Sequence, residues 1–275
     1  MKLYNYTKDN VIAFAFDKQK EINSSHWDEF WSSKGDWINK ITPKASSLSA
    51  PIKLVKRFIK PGASILEAGC GMGQYVYKLN QLGYDVHGVD NAENAVELLN
   101  ANYKNLKITN QSLGNLNFDD CSFDAYYSGG VIEHFWEGYM PLLEEAHRIL
   151  KKDGIIILTF PFMNKARKKQ INSLPIVSDK PSNFYQFALD EKGVINDLIS
   201  LGFNIKMSSP RNGIKGYMES INVKSGLKYS ALNSIYSKQD IVSKILRRLV
   251  SKVLCWMGYG HTIEIVAIKQ KHNLS

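Results

Sequence analysis

Cysteine is scarce in this 275-residue chain: Cys70, Cys121 and Cys255 are odd in number, scattered, and form no C-x-x-C pair. A disulfide framework or a thiolate zinc site is therefore not what holds it together, and the usage suits a reducing cytoplasm. No metal site is indicated. No apolar run approaches the roughly eighteen residues of a transmembrane helix. Met1 to Asp9 lack the uninterrupted apolar stretch of a secretion signal, so a cytoplasmic location is expected. Repeats and low-complexity tracts are absent. Acidic residues nearly vanish from one segment: between Lys224 and Lys252 seven basic residues face Asp240 alone. Two-thirds of the net charge of +9 thus sits in about a tenth of the chain.

What is present is ample apolar content, 44% of residues, and one informative stretch. Ser64-Ile65-Leu66-Glu67 reads as a buried parallel strand, and Ala68-Gly69-Cys70-Gly71-Met72-Gly73 as a glycine loop running into a helix from Gln74. Glycine has no Cβ, so such a loop lets a ligand approach the backbone. Nineteen residues past Gly71, Val86-His87-Gly88-Val89-Asp90 supplies a second strand ending in a carboxylate, placed to accept both hydroxyls of a ribose. Two adenosine cofactors compete for this unit. A dinucleotide wants G-x-G-x-x-G with its pyrophosphate on the helix N-terminus. Here Gln74 stands at the third glycine position, and Glu67 places an anion near the mouth, a poor neighbour for a pyrophosphate and a good one for an ammonium group.

The pattern E-x-G-x-G-x-G followed by V-D resembles motifs I and II of the class I S-adenosylmethionine-dependent methyltransferases. Leu116-Asn117-Phe118-Asp119-Asp120-Cys121-Ser122-Phe123-Asp124 is similar to that family's L-P-F-x-D-x-S-F-D segment, and Ser128-Gly129-Gly130-Val131-Ile132-Glu133-His134 to its S-x-x-V-L-E-H. Leu143 to Gly154 resembles the helix and turn before strand five, and Phe203-Asn204-Ile205 the ending L-x-x-x-G-F-x-I. The likeness covers roughly residues 60–162 in order. It implies a doubly wound, mostly parallel, seven-stranded Rossmann-like α/β sheet and S-adenosylmethionine as cofactor. Glu67 would meet the methionine ammonium, Gly69, Gly71 and Gly73 would admit the ligand, and Asp90 with Asn91 would hold the ribose. Ser112 and the Leu113 amide would reach adenine, with Gly129 at the end of strand four. Ser112 is a departure, since the family often carries an Asp there.

Strands are expected at Ser64–Glu67, Asp85–Asp90, Leu106–Asn110, Phe123–Ser128, Gly154–Phe160, Phe203–Ser208 and Thr262–Lys269, with helices between most of them. Asp190 reads as the N-cap of a helix Glu191–Leu201. The chain then divides into an N-terminal helical lid (1–50), a cofactor-binding core (51–209), a basic amphipathic helical insertion (210–261) and a last core strand with its tail (262–275). The lid carries Trp27, Phe30, Trp31 and Trp37; these wall the substrate pocket or simply bury one helix face. In the insertion, apolar residues from Ile241 to Leu254 recur at i, i+1, i+4, i+5, and Ser237 with Asp240 resembles a capping box. The basic opposite face, with Trp256 at its end, fits packing on the domain, residues 237–256 lying on an anionic membrane, or contact with a partner chain.

Methyl transfer from a sulfonium needs proximity above all, and a base only for an acceptor that must lose a proton. His134 is the best-placed histidine for a catalytic role, though its motif also implies a structural one. Trp31, Phe162 and Tyr185 are expected against the substrate. The basic run Lys165, Arg167, Lys168, Lys169 is placed to attract an anionic group. The end of strand four lacks the N-P-P-Y or P-C that holds a flipped base, so a nucleic-acid substrate is not expected. The reading is methyl transfer to a small or lipid-linked acceptor such as a surface-glycan precursor, by O- or N-methylation. The alternatives are a quinone or lipid methyltransferase, and a non-catalytic cofactor-binding module acting through its insertion.

Overall fold

Lys2–Tyr6 (β1) and Val11–Ala15 (β2) pair as an antiparallel hairpin in the computed structural model, which describes residues 1–17, 24–32, 49–219, 227–238 and 240–270. Asn10 closes the turn at φ 51°, a left-handed conformation that Asn tolerates. Within the expected N-terminal helical lid, residues 1–50, the chain begins with strands, and among the described residues a helix spans Ser24–Ser32 and another starts at Ala50 and runs to Phe58. Trp37 lies outside the described residues.

The glycine-loop unit follows as expected, with Ser64–Ala68 (β3), the helix Gln74–Gln81 and Asp85–Asp90 (β4). After the helix Glu93–Asn102 come Lys107–Asn110 (β5) and Phe123–Gly129 (β6). A 3-10 turn at Ile132–His134 and the helix Met140–Ile149 lead into Leu150–Pro161 (β7). Beyond the short helix Lys165–Gln170 lie Ile176–Val177 (β8) and Phe184–Ala188 (β9). The helix Glu191–Ser200, capped by Asp190 on the Gly193 amide, precedes Phe203–Arg211 (β10). Three helices, Gly213–Met218, Leu227–Ser237 and Ile241–Trp256, stand before Thr262–Lys269 (β11). The cap of the last helix is Asp240 on the Ser243 amide, while Ser237 ends the preceding helix, so the expected Ser237–Asp240 capping box does not form.

Seven strands make the main sheet in the order β10-β11-β7-β6-β3-β4-β5. All its strands run parallel except β11, antiparallel to both neighbours. Strands covered by helices on both faces must be apolar on both; accordingly Ile65, Leu66, Ile156, Ile157 and Leu158 are all fully buried. The sheet winds outward from β3 in two directions, to β4 and to β6. At such a switch point the connections diverge and leave a crevice at the carboxyl ends of the strands. A second, four-stranded sheet, β8-β1-β2-β9, joins the N-terminal hairpin to the segment after β7. Within it Ile12 pairs with Ala188 and Asn5 with Ile176.

Candidate functional site

The crevice holds a cavity of about 420 Å³. Gly69 from the end of β3, Asp90 and Asn91 from the end of β4, and Gly130 and Val131 after β6 all line it. Gly69, Gly71 and Gly73 take φ values of 74°, 51° and 64°, the left-handed region that only glycine enters without strain. Their crowding differs in kind. A Cβ on Gly69 would strike Val131 and one on Gly71 the indole of Trp31, whereas one on Gly73 would meet Ile108 and Leu99 in the core at 3.1 and 3.2 Å.

Asp90 ties the loop to the sheet. Its Oδ2 accepts the Gly71 amide at 2.7 Å and its Oδ1 the Ala92 amide at 3.0 Å. Burial raises the carboxyl above its ordinary value, and the backbone amides pull it back. Each oxygen keeps a further lone pair for a ligand hydroxyl. Ser112 and Leu113 line the same side, in a loop held by Gln111, whose Oε1 accepts the Asn117 amide at 2.7 Å.

Glu67 lies beneath the loop, 3% exposed, rather than in the cavity wall. Burial drives its carboxyl well above the usual range, against a hydrogen bond from the Val76 amide. Its Oε2 has no partner among the described residues. An orphaned buried oxygen is costly unless a ligand or water completes it, and a cationic ammonium would both satisfy and ionise it.

The opposite wall is aromatic: Trp27 and Trp31 of the helix Ser24–Ser32, and Phe135 and Trp136 after β6, with Glu137 and Lys180 as polar groups. His134 belongs to this wall. Its Nδ1 lies 2.7 Å from the Tyr185 carbonyl, so the proton sits on Nδ1. Trp27 and Tyr185 meet the ring edge-on, with centroids 4.9 and 5.0 Å away. Burial lowers it to about 4 although backbone carbonyls of Tyr185 and Gly130 favour the charged form.

Of the residues singled out from sequence, the fold brings Trp31, Gly69, Asp90, Asn91, Ser112, Leu113 and His134 to one cavity. Gly71, Gly73, Glu67 and Gly129 do not line it, Gly130 taking the place expected for Gly129. Phe162 is 8% exposed and packs in the core, bridging to Leu189. Tyr185 serves through its carbonyl and ring behind His134, so neither reaches the cavity as expected. The basic run is also elsewhere. Arg167 is buried against Glu219, and Lys168 faces Asp190 at 3.6 Å, while among the described residues the cation that reaches the cavity is Lys180. No sequence signal marks Lys180; its place depends on the second sheet. Trp27, named with Trp31 in the sequence and one turn before it on the helix, lines the cavity as well.

Residues 66–158 match the methyltransferase domain family. A probable S-adenosylmethionine-dependent methyltransferase of Mycolicibacterium smegmatis is 31% identical over 100 residues, 36% of this chain and 38% of that protein. Cyclopropane mycolic acid synthase 1 of Mycobacterium tuberculosis is 34% identical over 113 residues, 39% of each chain. The chain thus spans well under half the length of these two relatives. Among solved structures, the [4+2]-cyclase SpnF superposes with a TM-score of 0.57 at 15% identity, covering 91% of this chain and 98% of that one, a likeness of fold alone. With a positive-φ glycine loop, an acidic end to β4 and the matched stretch 66–158 in one crevice, the chain carries a class I S-adenosylmethionine-dependent methyltransferase domain.

Proposed function

We propose that the chain transfers the methyl group of S-adenosylmethionine to an oxygen or nitrogen of a small or lipid-linked acceptor, such as a surface-glycan precursor. The observation that carries the reading is two carboxyls set about the glycine loop, Asp90 on the Gly71 amide and Glu67 with its Oε2 unpartnered among the described residues. The first accepts from a ribose diol; the second attracts an ammonium. Bound there, the cofactor supplies an electrophilic methyl on a leaving group already activated by charge.

The chain's own part is then positional. Gly69 lets the backbone lie against the ligand, and Ser112 with the Leu113 amide faces adenine. The aromatic wall excludes water and offers flat faces to a ring or lipid, with Lys180 as a counter-charge for an anionic acceptor. A base tuned near neutrality gives the largest benefit, and His134 at about 4 is far below that. His134 therefore acts as a positioning residue, fixing β9 and Trp27 around the acceptor.

The test is calorimetric titration of S-adenosylmethionine, with NAD as control, followed by detection of S-adenosylhomocysteine with phosphosugars, lipid-linked sugars and quinones. Cofactor binding with turnover on one class supports the reading and names the acceptor. NAD binding instead, or no binding, overturns it. Binding without turnover on any class would favour a non-catalytic cofactor-binding module.

A further inference from the structure

The helix Ile241–Trp256 meets its own domain through its less apolar face. Ser251 Oγ accepts the Gly213 amide at 2.8 Å, and Leu254 is the buried residue of this helix. Gly213 is required there, since a Cβ would fall 2.7 Å from the Cys255 amide nitrogen. Arg247 reaches back to the Tyr236 carbonyl at 2.7 Å. The apolar stripe points the other way: Ile241, Val242, Ile245, Leu249, Val253 and Trp256 are 53–87% exposed. Packing of this stripe on the domain, one of the three sequence expectations, is thus not what the structure shows. A single-sided apolar stripe of this length on a solvated helix marks an interaction surface.

Its borders say what it fits. Lys244, Arg248 and Lys252 recur every four residues, so they form one row along the edge of the stripe, all exposed. Asp240 is the sole acid from 240 to 256, and it is engaged as the N-cap on the Ser243 amide. A second copy laid on this face would bring cationic rows together with no carboxylate between them. An anionic lipid surface satisfies both features, apolar side chains entering the headgroup–acyl boundary while the row neutralises headgroup charge. No helix among the described residues is long and apolar enough to cross a membrane, so the contact is with the surface.

The helix also sits at the cofactor end of the sheet. Just beyond it Gly258 accepts the Lys165 amide at 2.9 Å, and Gly260 accepts from Asn164 Nδ2 at 2.8 Å. Thr262 then pairs with Pro161, the last residue of β7.

We propose that the helix Ile241–Trp256 docks the protein on an anionic lipid surface, its exposed apolar stripe inserted at the interface and Lys244, Arg248 and Lys252 on the headgroups. The docking is independent of the methyl-transfer reading, because no residue of this helix lines the cavity. The test is co-sedimentation of the full chain with phosphatidylcholine vesicles, with and without phosphatidylglycerol. Expected are retention by the anionic vesicles and loss at high salt. Binding should weaken about a hundredfold in the variant Lys244→Gln/Arg248→Gln/Lys252→Gln. Leu249→Ser/Trp256→Ser, at exposed positions, should remove binding while cofactor titration stays unchanged, which shows the fold intact. No retention by anionic vesicles, or retention indifferent to both variants, would overturn the proposal. So would a dimer in sedimentation velocity that Leu249→Ser/Trp256→Ser converts to monomer, since a second copy would then own the face.

Discussion

Asp90 accepts the Gly71 amide at 2.7 Å, so one carboxylate both shapes the glycine loop and faces the cavity. Charge-assisted bonds of this kind are worth about 1.5–3 kcal/mol each, and Asp90 makes one with each oxygen before any ligand arrives. Asp90→Ala should therefore weaken S-adenosylmethionine binding by at least about a hundredfold in calorimetry. Unchanged affinity would remove Asp90 from the site.

Glu133 and His134 are neighbours with opposite linkage. Burial holds the Glu133 carboxyl up at about 8 and His134 down at about 4. The unfolded chain releases the Glu133 proton near 4.5 while the folded one keeps it, so that stability is present below 4.5 and drains as pH rises towards 8. The unfolded chain charges His134 below 6.5 while the folded one resists, so stability drains as pH falls from 6.5 towards 4. Glu133→Gln replaces a neutral acid by a neutral amide. Thermal melts should show this variant gaining on the parent at pH 8 and not at pH 5. A gain of the same size at both values would mean that Glu133 is ionised in the fold.

Gly73 and Gly83 separate two costs of a side chain. Both take positive φ, but nothing stands within 4 Å of a Cβ on Gly83, whereas Gly73 faces Ile108 and Leu99. Gly83→Ala should cost about 1–2 kcal/mol from backbone strain alone. Gly73→Ala should add roughly 1–3 kcal/mol of overpacking. Denaturant midpoints would show it, and equal losses would refute the packing role.

Arg167 is 1% exposed, its Nη2 3.1 Å from Glu219 and its Nη1 2.7 Å from the Phe162 carbonyl. Glu219 also lies 2.6 Å from His261. Glu219→Ala would leave a buried guanidinium without its carboxylate, at a cost of about 3–5 kcal/mol. Chemical denaturation is the measurement, and a loss below about 1 kcal/mol would mean that water already screens the pair.

The main sheet was legible because buried parallel strands are short apolar runs and the glycine loop punctuates them. Asp85–Asp90 and Thr262–Lys269 fall where the pattern puts them. The small sheet was not legible: Lys-Leu-Tyr-Asn-Tyr and Val-Ile-Ala-Phe-Ala find their outer partners more than 160 residues on, and no local period announces such a pairing. That also explains Lys180 and Tyr185, whose positions that sheet decides. For the helix Ile241–Trp256 the period was plain, but a period names a stripe without saying whether it faces inward. Gly213, which seats the other side, settles that.

The pairing of Ile12 with Ala188 has a consequence for biosynthesis. During translation the first fifteen residues leave the ribosome long before their outer partners exist. Non-local pairing of this kind is slow and leaves strand edges open while it waits. The hairpin must remain an unfinished, sticky edge until β9 emerges, by which time β3 to β7 are already available to fold. The aromatic wall that this sheet supports is thus completed after β3 to β7 have emerged but before β10 and β11, the strands that finish the main sheet.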